Sequence, residues 1–264
     1  VNKTNVLDTK MFSNHLANAW NIGEGVQPVT ALNPDLHVDD AYKIQLYTIQ
    51  QQVQSGQTIT GKKIGLTSKS MQTMLGVGEP DFGHLLDGME LKNGDSLSFK
   101  KLLQPKVEAE IAFILKEDLV GPNITSFDVL LATDYIVPAL EIVDSRIKDW
   151  EITLVDTVAD NASSGFYVLG ENRKKITEVD LKQIGMALYH NDVLQNTGVG
   201  AAALGNPAKC VAWLANKLAD YDVALKAGEV VLSGALSATI EVKPGDRCRA
   251  KFAELGEVAV SFTE

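Results

Sequence analysis

"KVEAEIAF" (residues 106–113) alternates apolar and acidic residues at a period of two, the pattern of a β-strand and not of a helix. Val107, Ala109, Ile111 and Phe113 would cover one face, and Glu108 and Glu110 would share the other. Residues two apart on a strand lie roughly 7 Å from each other along the backbone. Two like charges at that spacing repel, and partial burial makes each costlier. Something positive between them would relieve both penalties.

The same strand-like texture extends outward in both directions. "TITGKKIGLTS" (58–68), "YIVPALEIV" (135–143), "GFYVLG" (165–170), "IGMALYHND" (184–192), "EVVLSGAL" (229–236), "ATIEVK" (238–243), "DRCRAKF" (246–252) and "EVAVSF" (257–262) are short, β-branched or alternating, and separated by turn residues. Helical patterns are confined to the start and to one late segment. "VDDAYKIQLYTIQQQVQSG" (38–56) predicts a long helix, with Asp39 or Asp40 as its cap and Gly56 at its end. "NPAKCVAWLANKLADY" (206–221) predicts another, with Asn206 as N-cap, Pro207 at the first helical position, and Val211, Leu214, Ala215 and Leu218 on one face. Strands and helices do not alternate regularly, so a doubly wound sheet is not expected. The class is α+β with a mostly β core: residues 1–60 are expected to form a small, mainly helical N-terminal subdomain and 61–264 a β-rich domain that would carry any catalysis.

The chain has 264 residues, 45% hydrophobic and 22% charged, which is the profile of a globular protein. A net charge of -10 with no basic stripe argues against nucleic acid. No apolar run reaches the roughly 18 residues that a membrane span needs. The opening stretch has no signal-peptide core, and Cys210 and Cys248 have neither a disulfide framework nor metal-ligand spacing, so a cytoplasmic setting is expected. In such an acidic molecule an anionic substrate needs a local cation.

Glu141 interrupts "YIVPALEIV" as Glu108 and Glu110 interrupt their own strand. Three carboxylates on neighbouring strands suit a hard divalent cation, although Glu-x-Glu is equally the solvated face of an ordinary strand. Lys62 and Lys63 alternate, so one of them should face inward, and Lys63 beside Gly65 is the candidate. Asp81 in "GEPDFGHLL" reads as a mobile-loop residue suited to acid–base work, or as a plain turn aspartate. His84 has no partner at a triad spacing. "DTVADNASSG" (156–165) offers hydroxyls and amides for a carboxylate, or a self-bonded turn, and Gly234 in "LSGAL" permits close backbone approach to a ligand.

Taken in order, "GKKIGLTS", "EPDFG", "QPKVEAEIAF", "PALEIVDSRI", "VDTVADNASSG" and "LSGAL" resemble the 2-hydroxypenta-2,4-dienoate hydratases, in the hydratase/decarboxylase branch of the fumarylacetoacetate hydrolase superfamily. The likeness runs from about residue 38 to the C-terminus. It implies a distorted β-roll or barrel with a small α/β N-terminal part, and Mg²⁺ or Mn²⁺ held by Glu108, Glu110 and Glu141. It further implies Lys63 and Asp81 as catalytic residues beside the substrate, with Ser163 and Gly234 in substrate binding, and a homo-oligomer. The sister 4-oxalocrotonate decarboxylases and the 2-oxohept-4-ene-1,7-dioate hydratases share much of this wording. Asp81 and the phrases "SRI" and "DTVADNAS" favour a hydratase over the decarboxylases, and the lack of the diacid hydratases' insertion between Arg146 and Val155 favours the five-carbon monoacid. A further alternative is a non-catalytic partner in a complex with a sister decarboxylase.

Overall fold

The computed structural model describes residues 7–74 and 76–264, so the opening six residues of the N-terminal stretch lie outside it. In chain order the helices are α1 (Thr9–Ile22), α2 (Val29–Leu32), α3 (Val38–Gln54), α4 (Lys69–Met74), α5 (Ser126–Ala132), α6 (Leu154–Ala159) and α7 (Pro207–Ala219). The strands are β1 (Ile59–Gly65), β2 (Asp81–Leu86), β3 (Glu90–Leu91), β4 (Ser96–Ser98), β5 (Pro105–Leu115), β6 (Thr133–Asp144) and β7 (Ser164–Leu169), followed by β8 (Gly185–His190), β9 (Val193–Val199), β10 (Val230–Leu232), β11 (Ile240–Glu241), β12 (Arg247–Phe252) and β13 (Gly256–Thr263).

The larger sheet runs β2-β1-β10-β5-β6-β7-β3, with β11 alongside β5; the smaller runs β4-β13-β12-β8-β9. The larger sheet is mixed, since β1 and β10 are parallel whereas β5 and β6 are antiparallel over their whole length. It curls until β2, at one end, meets β7 near the other. The fold is therefore α+β around a curled half-barrel.

Period-two alternation sorts β5 as its sequence suggests. Val107, Ala109, Ile111 and Phe113 are fully buried on one face, in the main apolar cluster. The opposite face is buried at Glu110 and Ala112 and half-buried at Lys106, Glu108 and Ile114. There Ala112 joins Leu85, Val137, Ala139, Tyr167, Val230 and Leu232 in a second, smaller cluster inside the curl. A fully buried side chain of this size is worth about 1.5–3 kcal/mol, so both faces anchor the strand firmly.

Helix α3 packs on β2, where Tyr42 stacks on Phe82 with centroids 4.4 Å apart. Gln45 Nε2 donates to Phe82 O and to Val158 O, both at 2.9 Å, tying α3 to β2 and α6 at once. His37, not Asp39 or Asp40, is the N-cap residue of α3; its N–H donates to Asp40 Oδ2, 3.3 Å away in the first turn. Helix α7 starts as expected, with Asn206 Oδ1 accepting from Ala208 N at 3.0 Å and Pro207 next.

Two segments differ from the sequence reading. "DFGHLL" is strand β2, buried at all six positions, where a mobile loop was expected. "LVDTVA" is helix α6, capped by Thr153, whose Oγ1 accepts from Asp156 N. Both elements are short, and both are stabilised by partners far away in sequence.

Candidate metal centre and active site

Glu108 and Glu141 sit directly opposite each other across the β5–β6 ladder, and Glu110 follows two residues on along the same face. One carboxylate oxygen from each lies within 4.8 Å of the other two. Glu110 is 0% exposed and Glu141 1%. Gly234 N donates to Glu110 Oε2 at 2.7 Å, while Glu110 Oε1 and Glu141 Oε2 have no hydrogen-bond partner. Buried acceptors left unpaired are costly.

Register brings Lys63 and Asp81 to the same face. Lys63 pairs with Gly83 and Gly65 with Asp81 across β1–β2. Lys63 Nζ reaches Glu141 Oε1 at 2.8 Å. Burial alone would pull its pKa down, but the fields of Glu141, Asp81 and Glu108 outweigh that and raise it, so Lys63 stays charged. Asp81 is 2% exposed and its Oδ1 has no hydrogen-bond partner. Burial pushes its carboxyl up to about 6, against the opposing pull of Lys63.

The charge balance at the site is negative. Four carboxylates converge on one ammonium. Burial and the neighbouring Glu141 push Glu108 up to about 7, and burial with Glu141 and Glu108 lifts Glu110 well above the ordinary range. These residues fit a hard divalent cation: all three donors are carboxylate oxygens, Glu110 Oε1 and Glu141 Oε2 have no hydrogen-bond partner, and the surplus charge is negative.

The remaining residues take different places. Gly234, at φ +101°, touches the site through its N–H on Glu110, and a Cβ there would lie 2.3 Å from Thr67 Oγ1. Ser163 is buried in the turn after α6, with its Oγ 3.4 Å from Thr157 Oγ1. Lys62 is buried as well, on the other face of β1, where Glu229 holds it with two 2.7 Å contacts. Lys63 is thus the lysine that turns toward the carboxylates, and Lys62 is buried too because the sheet is covered on both sides. His84 also faces away from the carboxylates. Its Nδ1 bonds Gln45 Oε1 at 3.1 Å, and burial plus the charge of Lys62 holds its pKa down at about 3.

Sequence reasoning missed Gln45, Glu229, Asp160 and Asn161 as partners. Arg146 Nε bonds Asp160 Oδ1, and its NH1 donates to Asp144 O and Ser164 O at 2.6 Å each. "SR" and "ADN" stood in the resemblance, but nothing local paired them.

The fumarylacetoacetate (FAA) hydrolase C-terminal family matches residues 89–263, a span that holds all three glutamates. The chain belongs to this family. Among curated relatives, a 2-hydroxypent-2,4-dienoate hydratase of Pseudomonas putida is 50% identical over 202 residues, covering 76% of this chain and 91% of that protein. A 2-hydroxyhexa-2,4-dienoate hydratase of Comamonas testosteroni is 46% identical over 239 residues, 90% of each chain. Among solved structures, a 4-oxalocrotonate decarboxylase from Pseudomonas putida G7, complexed with magnesium and adipate, superposes with a TM-score of 0.94. It is 34% identical and covers 99% of this chain and 100% of its own.

Proposed function

We propose that the protein is a hydro-lyase that adds water to 2-hydroxypenta-2,4-dienoate to give 4-hydroxy-2-oxopentanoate, in the meta-cleavage degradation of aromatic compounds. One observation carries this reading: three carboxylates meet within 4.8 Å on the sheet face that also bears a paired ammonium and a buried aspartate whose Oδ1 has no hydrogen-bond partner. Relatives at 46–50% identity that are named as dienoate hydratases support it.

Glu108, Glu110 and Glu141 would hold Mg²⁺ or Mn²⁺. A divalent ion there supplies Lewis acidity toward the 1-carboxylate and 2-oxygen of the substrate. The rest falls to the chain itself. The dienol is electron-rich and does not take up water directly. Moving its hydroxyl proton to C5 gives the 2-oxo-3-enoate, whose C4 accepts water while C3 takes a proton. Lys63, held charged by Glu141, supports negative charge on the 2-oxygen. Asp81, with a carboxyl near 6, can both give and take a proton close to neutral pH.

Three buried cations occur among the described residues, and each has a carboxylate partner: Lys62 with Glu229, Lys63 with Glu141 and Arg146 with Asp160. Decarboxylation needs no base for water, so the placement of Asp81 favours hydration over that alternative. No helix among the described residues is long and apolar enough to cross a membrane. The reading extends to a cytoplasmic homo-oligomer and to association with a sister decarboxylase. Val193, Leu194 and Val199, exposed on edge strand β9, support self-association.

The test is direct. Purified protein with Mg²⁺ should remove the dienoate absorbance and release no CO₂ from 4-oxalocrotonate. CO₂ release without hydration would replace this reading with the decarboxylase, and activity only in the presence of a partner would make the chain accessory.

A further inference from the structure

Strand β2 ends the larger sheet, and β1 is its only partner strand among the described residues. Its outer edge is nonetheless bonded. His84 N donates to Asn161 Oδ1 at 2.8 Å, and Asn161 Nδ2 donates to His84 O at 2.9 Å. One carboxamide thus supplies the donor and acceptor that a neighbouring strand's peptide would offer. Asn161 stands in the turn leading directly into β7, the strand that the curl brings opposite β2. At Gly83 the turn lies against bare backbone: a Cβ there would fall 2.4 Å from Asn161 O and 2.7 Å from Ser164 Oγ.

The turn is held in a costly shape. Asn161, Ala162 and Ser163 all have left-handed backbones, at φ +54°, +49° and +53°. The left-handed form costs roughly 1–2 kcal/mol per residue, less for Asn. A cavity of about 270 Å³ lined by Arg146, Asp160, Asn161 and Ser164 borders the turn, so polar contacts, more than close packing, must keep its shape. Arg146 supplies them: it bonds the Asp160 side chain and the backbone carbonyls of Asp144, Asp160 and Ser164. Backbone strain of this kind persists where the surroundings over-determine it, commonly beside functional groups.

We infer that the Asn161 carboxamide closes the curled sheet by acting as the missing strand for β2, and that Asn161 is thereby a positioning residue for Asp81. Asp81 lies three residues from His84 on that same edge strand, about 10 Å along the chain. Its carboxylate must sit over Gly65, within a space that a single methyl group would fill. A strand free to fray at His84 would not hold it there.

The inference rests on the hydratase reading for its catalytic consequence, so the experiment separates the two. Asn161→Gly removes the carboxamide while a glycine tolerates the left-handed backbone. Three things are expected of it: hydrogen exchange at the β2 amides rises at least about tenfold, Mg²⁺ affinity stays as in wild type, and kcat falls about 10²-fold with KM little changed. A crystal structure of the variant should show the Asp81 carboxylate displaced from Gly65. Asn161→Gly combined with Asp81→Asn should be no slower than Asp81→Asn alone, because both remove the same function. Unchanged exchange at β2, an unmoved Asp81, multiplicative losses in the double variant, or parallel loss of metal affinity would each overturn the inference. Wild-type protein inactive on the dienoate would count against the hydratase reading, while exchange and the position of Asp81 would still decide the structural role of Asn161.

Discussion

A Cβ on residue 65 would fall 2.2 Å from Asp81 Oδ1, so the aspartate occupies room that exists only because Gly65 has no side chain. Gly65→Ala should push that carboxylate aside and cut kcat about 10²-fold while Mg²⁺ binding, measured calorimetrically, stays intact. Equal turnover by the variant would show that Asp81 needs no such placement. The glutamates make a different prediction. In the metal-free protein Glu108 keeps its proton up to about 7 because burial and Glu141 oppose its ionisation, whereas an unfolded glutamate loses it near 4.5. The folded state therefore binds more protons in that window, and the stability this group contributes is full below 4.5 and lost as pH rises through 7. His84 works in the opposite direction. Held down at about 3, it contributes stability above 6.5 that is lost as pH falls. Glu108→Gln isolates the first effect. Without metal, its melting temperature should gain on that of wild type between pH 5 and pH 8, and its Mg²⁺ affinity should fall. A constant gap across that range would mean that Glu108 titrates normally.

Strands and helices were legible where burial follows their own period. Strand β5, with alternate residues buried, and α7, with Val211, Leu214, Ala215 and Leu218 on its inner face, could be read from sequence alone. The three glutamates were legible for the same reason, since each breaks an apolar strand. β2 was not. Its six residues carry an aspartate, a glycine and a histidine, and they form a strand because Tyr42, Gln45, Asn161 and β1 meet them from elsewhere in the chain. The turn after α6 is similar: its hydroxyls and amides were visible, but its left-handed shape depends on Arg146, fourteen residues before Asp160. Arg146→Lys tests that dependence. An ammonium can still face Asp160, but it cannot also reach three backbone carbonyls in the guanidinium plane. The change should cost about 3 kcal/mol in denaturant unfolding, and exchange should rise in residues 160–164 before it rises in β5. A loss confined to global stability, with the turn no more exposed than β5, would assign Arg146 to the core alone.

For the molecule as a whole, a boundary near residue 60 would make the N-terminal helices a unit of their own. The apolar faces of α1 and α3 meet each other but do not close into a core of their own. Phe12, Leu16, Tyr42 and Ile44 share one continuous cluster with Val107, Ile111, Phe113 and Val260. Gln45 on α3 binds the backbones of both β2 and α6, and Thr30 in α2 donates through N and Oγ1 to the buried Asp156 of α6 at 2.9 and 3.0 Å. Elements joined through one core and through buried hydrogen bonds should unfold together, because exposing either side strands the other's apolar and polar groups in water. Tyr42 is the joint, 1% exposed, stacked on Phe82 and beside Tyr221. Tyr42→Ala should therefore cost about 3–5 kcal/mol, and it should lower the protection of α3 and of β5 by the same amount when both are followed by hydrogen exchange in denaturant. Were residues 9–54 a separate subdomain, α3 would lose protection early in both proteins and β5 would keep its wild-type midpoint. Coincident loss would make the helices part of the scaffold that holds β2, and with it Asp81, in place.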